Sequence, residues 1–344
     1  MPKQILVTGG TGYIGSHTTV ELQKAGFDVV IIDNLSNSDI KTLDGIKKIT
    51  EIVPIFEKID LTDTEKLNNF FEKYKNIEAV IHFASLKSVN ESVEKPLLYY
   101  RNNLLSLINL LEAMKKFKKT NLVFSSSCTV YGQPDKLPVT EDAPIKKAES
   151  PYGNTKQISE DIITDTVNSK PAGLKSIFLR YFNPIGAHKS GFIGELPTGT
   201  PDNLVPYVTQ TAIGIRNQIK VFGNDYNTPD GSGIRDYIHV VDLAKAHIIA
   251  IKRLIENKNK NNIEIFNLGT GKGASVLEII KTFEDVNKIK LNYKIVGRRP
   301  GDIEKIWADP NFANSELGWK SEKTLADCLS SAWKWEKYYR KNDN

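Results

Sequence analysis

The stretch Val7-Thr-Gly-Gly-Thr-Gly-Tyr-Ile-Gly15 directly follows an apolar run, Gln4 to Thr8, and leads into a helical pattern from Gly12 to Lys24. Gly9, Gly12 and Gly15 permit a tight turn, close approach of backbone N–H groups to a pyrophosphate, and close packing of the helix on the strand; the helix N-terminus favours the anionic charge. A plain glycine-rich turn does not require what comes next. A second strand candidate, Asp28 to Asp33, follows the helix in the order that a dinucleotide-binding unit demands. Asp33 stands where a carboxylate accepts both hydroxyls of an adenosine ribose and repels a 2′-phosphate, so the expected cofactor is NAD rather than NADP. The bland alternative has Asp33 merely starting a turn with Asn34 and Ser36. Asp60-Leu61, at the end of a third strand candidate, is placed for the adenine edge.

Working outward, short apolar runs continue to alternate with amphipathic stretches, the pattern of a parallel sheet covered by helices on both faces. Further strands are expected at Val53 to Lys58, Ala79 to Phe83, Asn121 to Ser125 and Ser176 to Leu179, and helices at Thr64 to Tyr74, Tyr99 to Lys116 and Tyr152 to Val167. Thr62 with Glu65 reads as a capping box. After about Arg180 the chain becomes rich in loops, with Gly223 to Gly233 dense in Gly, Pro, Asp and Asn. Asp236 to Arg253 returns to a strand-then-helix pattern, so the expected division is 1–181 with 236–267 as a dinucleotide-binding domain, and 182–235 with 268–341 as a substrate domain. No internal repeat is present.

The 344 residues, 40% hydrophobic and 25% charged, are those of an ordinary globular protein with a large core. A net charge of +5 is small for this length, and the lysines at 115, 116, 118 and 119 read as a solvated helix end rather than a nucleic-acid patch. Cys128 and Cys328 are too few for a disulfide framework, no signal peptide is expected from Met-Pro-Lys-Gln running straight into an apolar strand, and no apolar run approaches the length of a membrane span, so a cytoplasmic location is expected and the acceptor-like Asn34-Leu-Ser36 and Asn90-Glu-Ser92 are discounted. His17, His82, His188, His239 and His247 show no ligand-like spacing, and no metal is expected.

Tyr152-Gly-Asn-Thr-Lys156 puts a phenol and an ammonium on one helix face. Bringing a phenol of reference pKa about 10 down to about 7 takes roughly 4 kcal/mol, of which a cation about 6 Å away at an effective dielectric of about 20 supplies roughly 3. An oxidised nicotinamide ring is the candidate for the remainder. Alone, the pair arises by chance on many solvated helices.

Together, the glycine loop and Tyr152/Lys156 make the chain resemble the extended short-chain dehydrogenase/reductase family, and within it the branch that epimerises UDP-sugars at C4. The resemblance runs through His82 to Ser92, Phe124-Ser-Ser-Ser-Cys-Thr-Val-Tyr-Gly132, Arg180-Tyr-Phe-Asn183, Asn203-Leu-Val-Pro-Tyr207, Phe222-Gly-Asn-Asp-Tyr226, Gly233-Ile-Arg-Asp-Tyr-Ile-His-Val240 and Arg298 to Trp307. It implies a Rossmann-type doubly wound α/β fold with a smaller α/β substrate domain. It also implies catalytic roles for Ser127, Tyr152 as general base and Lys156 as the cation beside it. The cofactor site would comprise Gly9, Gly12, Tyr13, Ile14, Gly15, Asp33, Asn34, Ser36, Asp60, Leu61, Phe83, Ala84, Lys87, Asn102 and Tyr181 beside the catalytic three. Asn183, Asn203, Leu204, Phe222, Arg235, Arg299, Asp302 and Ile306 would join Ser127 and Tyr152 around a nucleotide sugar, UDP-glucose or UDP-galactose. A homodimer built from the two long helices is implied as well.

The chemistry supports these roles independently. Inverting C4 requires breaking an unactivated C–H bond, which NAD makes possible by accepting hydride while a phenolate takes the hydroxyl proton. Arg235 and Arg299 suit the two phosphates as planar donors. The chain departs from the family at Ser85 and Asn90, where Gly is usual, and at Cys128, where Ala is usual; Cys128 reads as a small hydrophobe. Ile306 occupies a position where a large tyrosine restricts the pocket and a small residue admits N-acetyl sugars. Four rivals are weighed: a 4,6-dehydratase, which needs acidic residues where Cys128 and Thr129 stand; a decarboxylase of the same fold; a uronate epimerase, which needs one more cation; and a catalytically dead NAD-binding protein.

Overall fold

The computed structural model describes residues 3–169, 173–299 and 303–342. Thirteen strands are formed among them: β1 (Gln4–Thr8), β2 (Asp28–Asp33), β3 (Ile55–Lys58), β4 (Ile77–His82), β5 (Asn121–Ser127), β6 (Lys175–Tyr181), β7 (Asn183–Ile185), β8 (Ile219–Phe222), β9 (Ile234–His239), β10 (Ile263–Leu268), β11 (Gly273–Ser275), β12 (Tyr293–Val296) and β13 (Lys305–Ile306). The α-helices are α1 (Tyr13–Lys24), α2 (Thr42–Thr50), α3 (Thr64–Lys73), α4 (Val89–Glu94), α5 (Pro96–Lys116), α6 (Pro151–Asn168), α7 (Leu204–Ala212), α8 (Val240–Ile255), α9 (Val276–Asn287) and α10 (Leu325–Asn342).

Seven strands form one parallel sheet in the order β10-β6-β5-β4-β1-β2-β3. The order reverses at β1, which lies between β2 and β4, so the loop after β1 opens into the crevice at the carboxyl edge where doubly wound sheets bind ligands. Successive side chains of a strand point to opposite faces, and the core divides accordingly. Ile5, Val7, Val29 and Ile31 pack with Val20 of α1 and Leu243, Ala246 and Ile251 of α8. Leu6, Val30 and Ile32 pack on the other face with Leu67 and Phe70 of α3, Leu107 and Leu110 of α5 and Ile163 of α6. Continuous apolar strands are what burial on both faces selects.

The smaller part is built differently. β9 pairs in parallel with β7 and β13 and antiparallel with β11, while β8 pairs with β12. The strand beginning near 236 therefore lies in a small sheet, and α8 and β10 bring the chain back to the large one. Ile185, Val205, Val208, Ile219, Val221, Phe283 and Leu329 form a separate apolar cluster there.

Two local expectations change. The cap of α3 is Asp63, whose carboxylate accepts from the Lys66 N–H at 3.1 Å, whereas Thr62 turns back and donates its hydroxyl to Asp60 at 2.7 Å. A capping box is present instead at α9, between Ser275 and Glu278. Asn90 does not adopt the positive φ that a glycine position suggests; it lies inside α4.

Candidate active site

The glycine loop leaves α1 through Gly12, whose N-cap position carries no side-chain hydrogen bond, so the first N–H groups of the helix are presented to the crevice. Gly9 has φ +71°, and a Cβ there would lie 2.8 Å from the Ala84 nitrogen; a Cβ on Gly15 would lie 2.2 Å from the Gly9 carbonyl oxygen. Both positions exclude a side chain, so the loop can form only with glycine. Ile14 packs beside the core, and the Tyr13 hydroxyl donates to the Gly186 carbonyl at 2.6 Å.

Asp33 is buried at the carboxyl end of β2 and accepts from Thr11 N–H at 3.2 Å, Leu35 N–H at 2.9 Å and Ser38 Oγ at 3.1 Å. It thus begins the turn and at the same time faces the glycine loop, so the two readings of this residue are compatible. Asn34 donates to Asp60 at 2.9 Å and accepts from Ser36 N–H at 3.0 Å. Although burial alone would raise it, the Asp60 carboxyl is held low by hydrogen bonds from Thr62 and Asn34. The Leu61 carbonyl is fixed by Asn109 at 2.9 Å.

Phe83 follows β4 and packs on His247 with ring centroids 4.7 Å apart; Ala84 N–H reaches Thr8 Oγ1 at 3.4 Å. Asn102 donates to Asn103 at 3.1 Å. Asn103, which the sequence reading passed over, binds both the N–H and the carbonyl of Leu86 and also Thr155, tying the loop after β4 to α5 and α6. Lys87 is paired with Glu195 at 3.2 Å.

The catalytic candidates converge where β5 ends and α6 begins. Ser150 caps α6, accepting from Gly153 N–H at 3.1 Å, and Pro151 fills the first helical position. One turn on, Lys156 is buried, donates to the Ser125 carbonyl at 2.7 Å, and has its Nζ 5.9 Å from the Tyr152 ring centroid and 5.0 Å from that of Phe124. Burial lowers Lys156 to about 8, with Glu160 pulling the other way. The Tyr152 phenol is pushed well up, chiefly by burial, with the Ser127 hydroxyl opposing through a hydrogen bond. Desolvation thus dominates at both groups, holding the phenol above and the ammonium below their ordinary ranges.

Behind these groups lies an ion pair that the sequence did not announce. Arg180 makes a two-pronged bond to Glu160, Nε–Oε1 at 2.9 Å and Nη2–Oε2 at 2.5 Å, and Ser126 Oγ donates to the same carboxylate. The Tyr181 hydroxyl is bonded to Ser125 Oγ, and its ring lies 6.2 Å from His247. Burial raises Cys128 to about 12, so its thiol stays neutral and unreactive.

On the substrate side, Asn183 begins β7 one residue after β6 ends at Tyr181, and Arg235 stands opposite Ile306 in the β9–β13 pair. Ile306 is buried with Val130, Tyr131, Phe182 and Ala308. Asn203 caps α7 by position and donates to Glu195 at 2.6 Å; Leu204 packs on the smaller core. Arg299 lies over the Phe222 ring at 5.4 Å. Asp302 falls outside the described residues. Among the described residues, no cluster of His, Cys, Asp and Glu is arranged to hold a metal.

A family model described as GDP-mannose 4,6 dehydratase matches residues 6–331. A UDP-glucose 4-epimerase of Haemophilus influenzae is 50% identical over 333 residues, covering 97% of each chain, and one of Bacillus subtilis is 50% identical over 332 residues, covering 96% of each. The chain belongs to the UDP-glucose 4-epimerase family. The crystal structure of a UDP-glucose 4-epimerase from Stenotrophomonas maltophila with bound NAD and formylated UDP-arabinopyranose superimposes with a TM-score of 0.94 at 45% identity, covering 98% of this chain and 99% of that one. Membership of the epimerase family agrees with the seven-stranded parallel sheet and its flanking helices.

Proposed function

We propose that this protein interconverts UDP-glucose and UDP-galactose at C4 through a 4-keto sugar, with NAD held throughout. The observation that carries the reading is the cluster itself: Ser127 at the end of β5 and Tyr152 in the first turn of α6, with Lys156 buried one helical turn on and donating to the Ser125 carbonyl, at the same sheet edge as the glycine loop. The glycine loop fits NAD, since Gly9 and Gly15 admit no Cβ, Gly12 caps the helix with no side-chain hydrogen bond, and the Asp33 carboxylate lies against the loop, accepting from Thr11 N–H, where it would meet the adenosine ribose. When bound, NAD supplies the acceptor for the C4 hydrogen. Ser127 holds the C4 oxygen, and Tyr152 takes the hydroxyl proton from one epimer and returns it to the other. Burial raises its phenol, and a positive charge beside it would favour the ionised form. Arg235 and Arg299 hold the phosphates, with Asn183, Asn203, Leu204 and Phe222 around the nucleotide sugar.

A dehydratase reading, prompted by the name of the matching model, is disfavoured by Cys128 and Thr129, neither of which offers the acid that eliminating water requires. Ile306 fills the wall beside Arg235 with a branched side chain, so turnover of UDP-N-acetylglucosamine is weak or absent. The domain division has support in α8 and β10, which pack on the large sheet, while β9 pairs within the small one. A homodimer is favoured by exposed apolar side chains on and beside α5. A cytoplasmic location and a place in galactose metabolism complete the reading; among the described residues no helix is long and apolar enough to cross a membrane.

The test is to release and identify the cofactor of the purified protein and to assay UDP-galactose, UDP-N-acetylgalactosamine and UDP-galacturonate in parallel. NAD and rapid turnover of UDP-galactose alone are expected. Comparable rates on the N-acetyl sugar remove the role given to Ile306, faster turnover of the uronate favours that rival, and a protein with no nicotinamide and no turnover is not an enzyme of this kind.

A further inference from the structure

Glu195 belongs to none of the motifs in the sequence, yet it stands between both halves of the site. Its side chain is only 8% exposed, and one oxygen, Oε1, accepts from Lys87 Nζ at 3.2 Å and from Asn203 Nδ2 at 2.6 Å. The backbone there is fixed: Trp335 Nε1 donates to the Glu195 carbonyl at 3.0 Å, and the indole lies against Gly194 so closely that a Cβ would meet its ring at 2.3 Å. Seven residues on, the Asp202 carboxylate accepts from Ser88 Oγ at 2.5 Å and Asn90 Nδ2 at 3.0 Å. The segment 195–203 is thus tied at two points to residues 87–90, where the loop after β4 enters α4.

We propose that Glu195 is a positioning residue that holds Lys87, on the cofactor side, and Asn203, on the nucleotide-sugar side, on one carboxylate, with the Asp202–Ser88–Asn90 contact closing the same seam, so that occupancy of one ligand site steadies the other. The inference rests on the roles given above to Lys87 and Asn203. A buried carboxylate with a cation and an amide on one oxygen transmits displacement, because moving either partner leaves the charge less well compensated. The coupling is reciprocal in binding free energy. Asn90 contributes because its amide can donate; glycine there has no side chain to reach Asp202.

Loss of NAD from the NAD-containing protein is followed by ultrafiltration with and without saturating UDP, in the wild type and in E195A, E195Q, D202N and D202N/N90G. UDP slows NAD loss in the wild type, and E195A reduces that slowing by about tenfold. E195A also raises KM for UDP-galactose by about tenfold while kcat changes by less than about threefold, the split expected of lost positioning rather than lost chemistry. E195Q, whose amide oxygen still accepts from Asn203, falls between wild type and E195A. D202N weakens the coupling less, because its contacts are exposed and its amide oxygen still accepts, and D202N/N90G weakens it further by removing the Asn90 donor. Equal slowing by UDP in wild type and E195A, tighter NAD retention in E195A, or a fall in kcat at constant KM overturns the inference. If the wild type nevertheless turns over UDP-galactose, the functional reading survives that result; a wild type without NAD or turnover overturns both.

Discussion

Tyr152 and Lys156 show how a residue pair changes meaning on burial. Spacing on a helix suggests a cation lowering a phenol, yet both groups are desolvated, which raises the tyrosine and lowers the lysine to about 8. Tyr152→Phe keeps the ring and removes the acid–base group, so turnover falls by about 10²- to 10⁴-fold while NAD remains bound, as assay and cofactor release check. For Lys156 the sign follows from linkage. The folded protein binds this proton more weakly than the unfolded chain, so burial opposes folding fully below about pH 8, and the opposition fades as pH rises toward 10.5. The stability of cofactor-free wild type relative to Lys156→Met therefore rises across that window, by up to about 3 kcal/mol, as read from denaturant midpoints at several pH values. A flat difference shows that Lys156 is not titrating there.

At the scale of elements, helix starts were legible where the signal is local and were misread where two local signals compete. The helix expected from Tyr152 begins one residue earlier, at Pro151, with Ser150 as its cap. Before α3, Thr62 had a competing acceptor in Asp60, leaving the adjacent Asp63 to satisfy the helix. Asp63→Ala accordingly costs about 1 kcal/mol in unfolding free energy, a cap's usual worth, whereas Thr62→Ala acts through Asp60 and leaves α3 capped. Equal losses of helix stability in the two variants, read by hydrogen exchange of the first turn, contradict this assignment. The six other strands of the large sheet matched in existence and lay within a few residues in extent; β10, although as long and as apolar as β2, was not singled out, nor were the short strands β7, β8, β11, β12 and β13 of the smaller part, too short to carry a period.

For the whole molecule, the exposed side chains on and before α5 bear on assembly. Val93 is 62% and Leu97 78% exposed, and Leu105 and Ile108 continue Leu97's stripe at helical spacing. If a second copy covers this face, light scattering of the wild type gives a two-chain particle, and Leu97→Asp with Leu105→Asp gives one chain with unchanged far-ultraviolet circular dichroism. A one-chain wild type removes the dimer.

Sequence alone determined what depends on neighbours along the chain. The glycine spacing that only an open turn satisfies, the apolar strands buried on both faces, the carboxylate closing β2 and the Tyr–Lys helical step were all readable, because a few bonds fix their geometry. Tertiary structure decided what depends on partners far apart: the Arg180–Glu160 pair behind the site, Asn103 anchoring the loop after β4, the meeting of Lys87 and Asn203 on Glu195, and the direction in which Tyr152 titrates. Those features follow from which groups lose water together, and desolvation is a property of the packed interior that no spacing along a chain records.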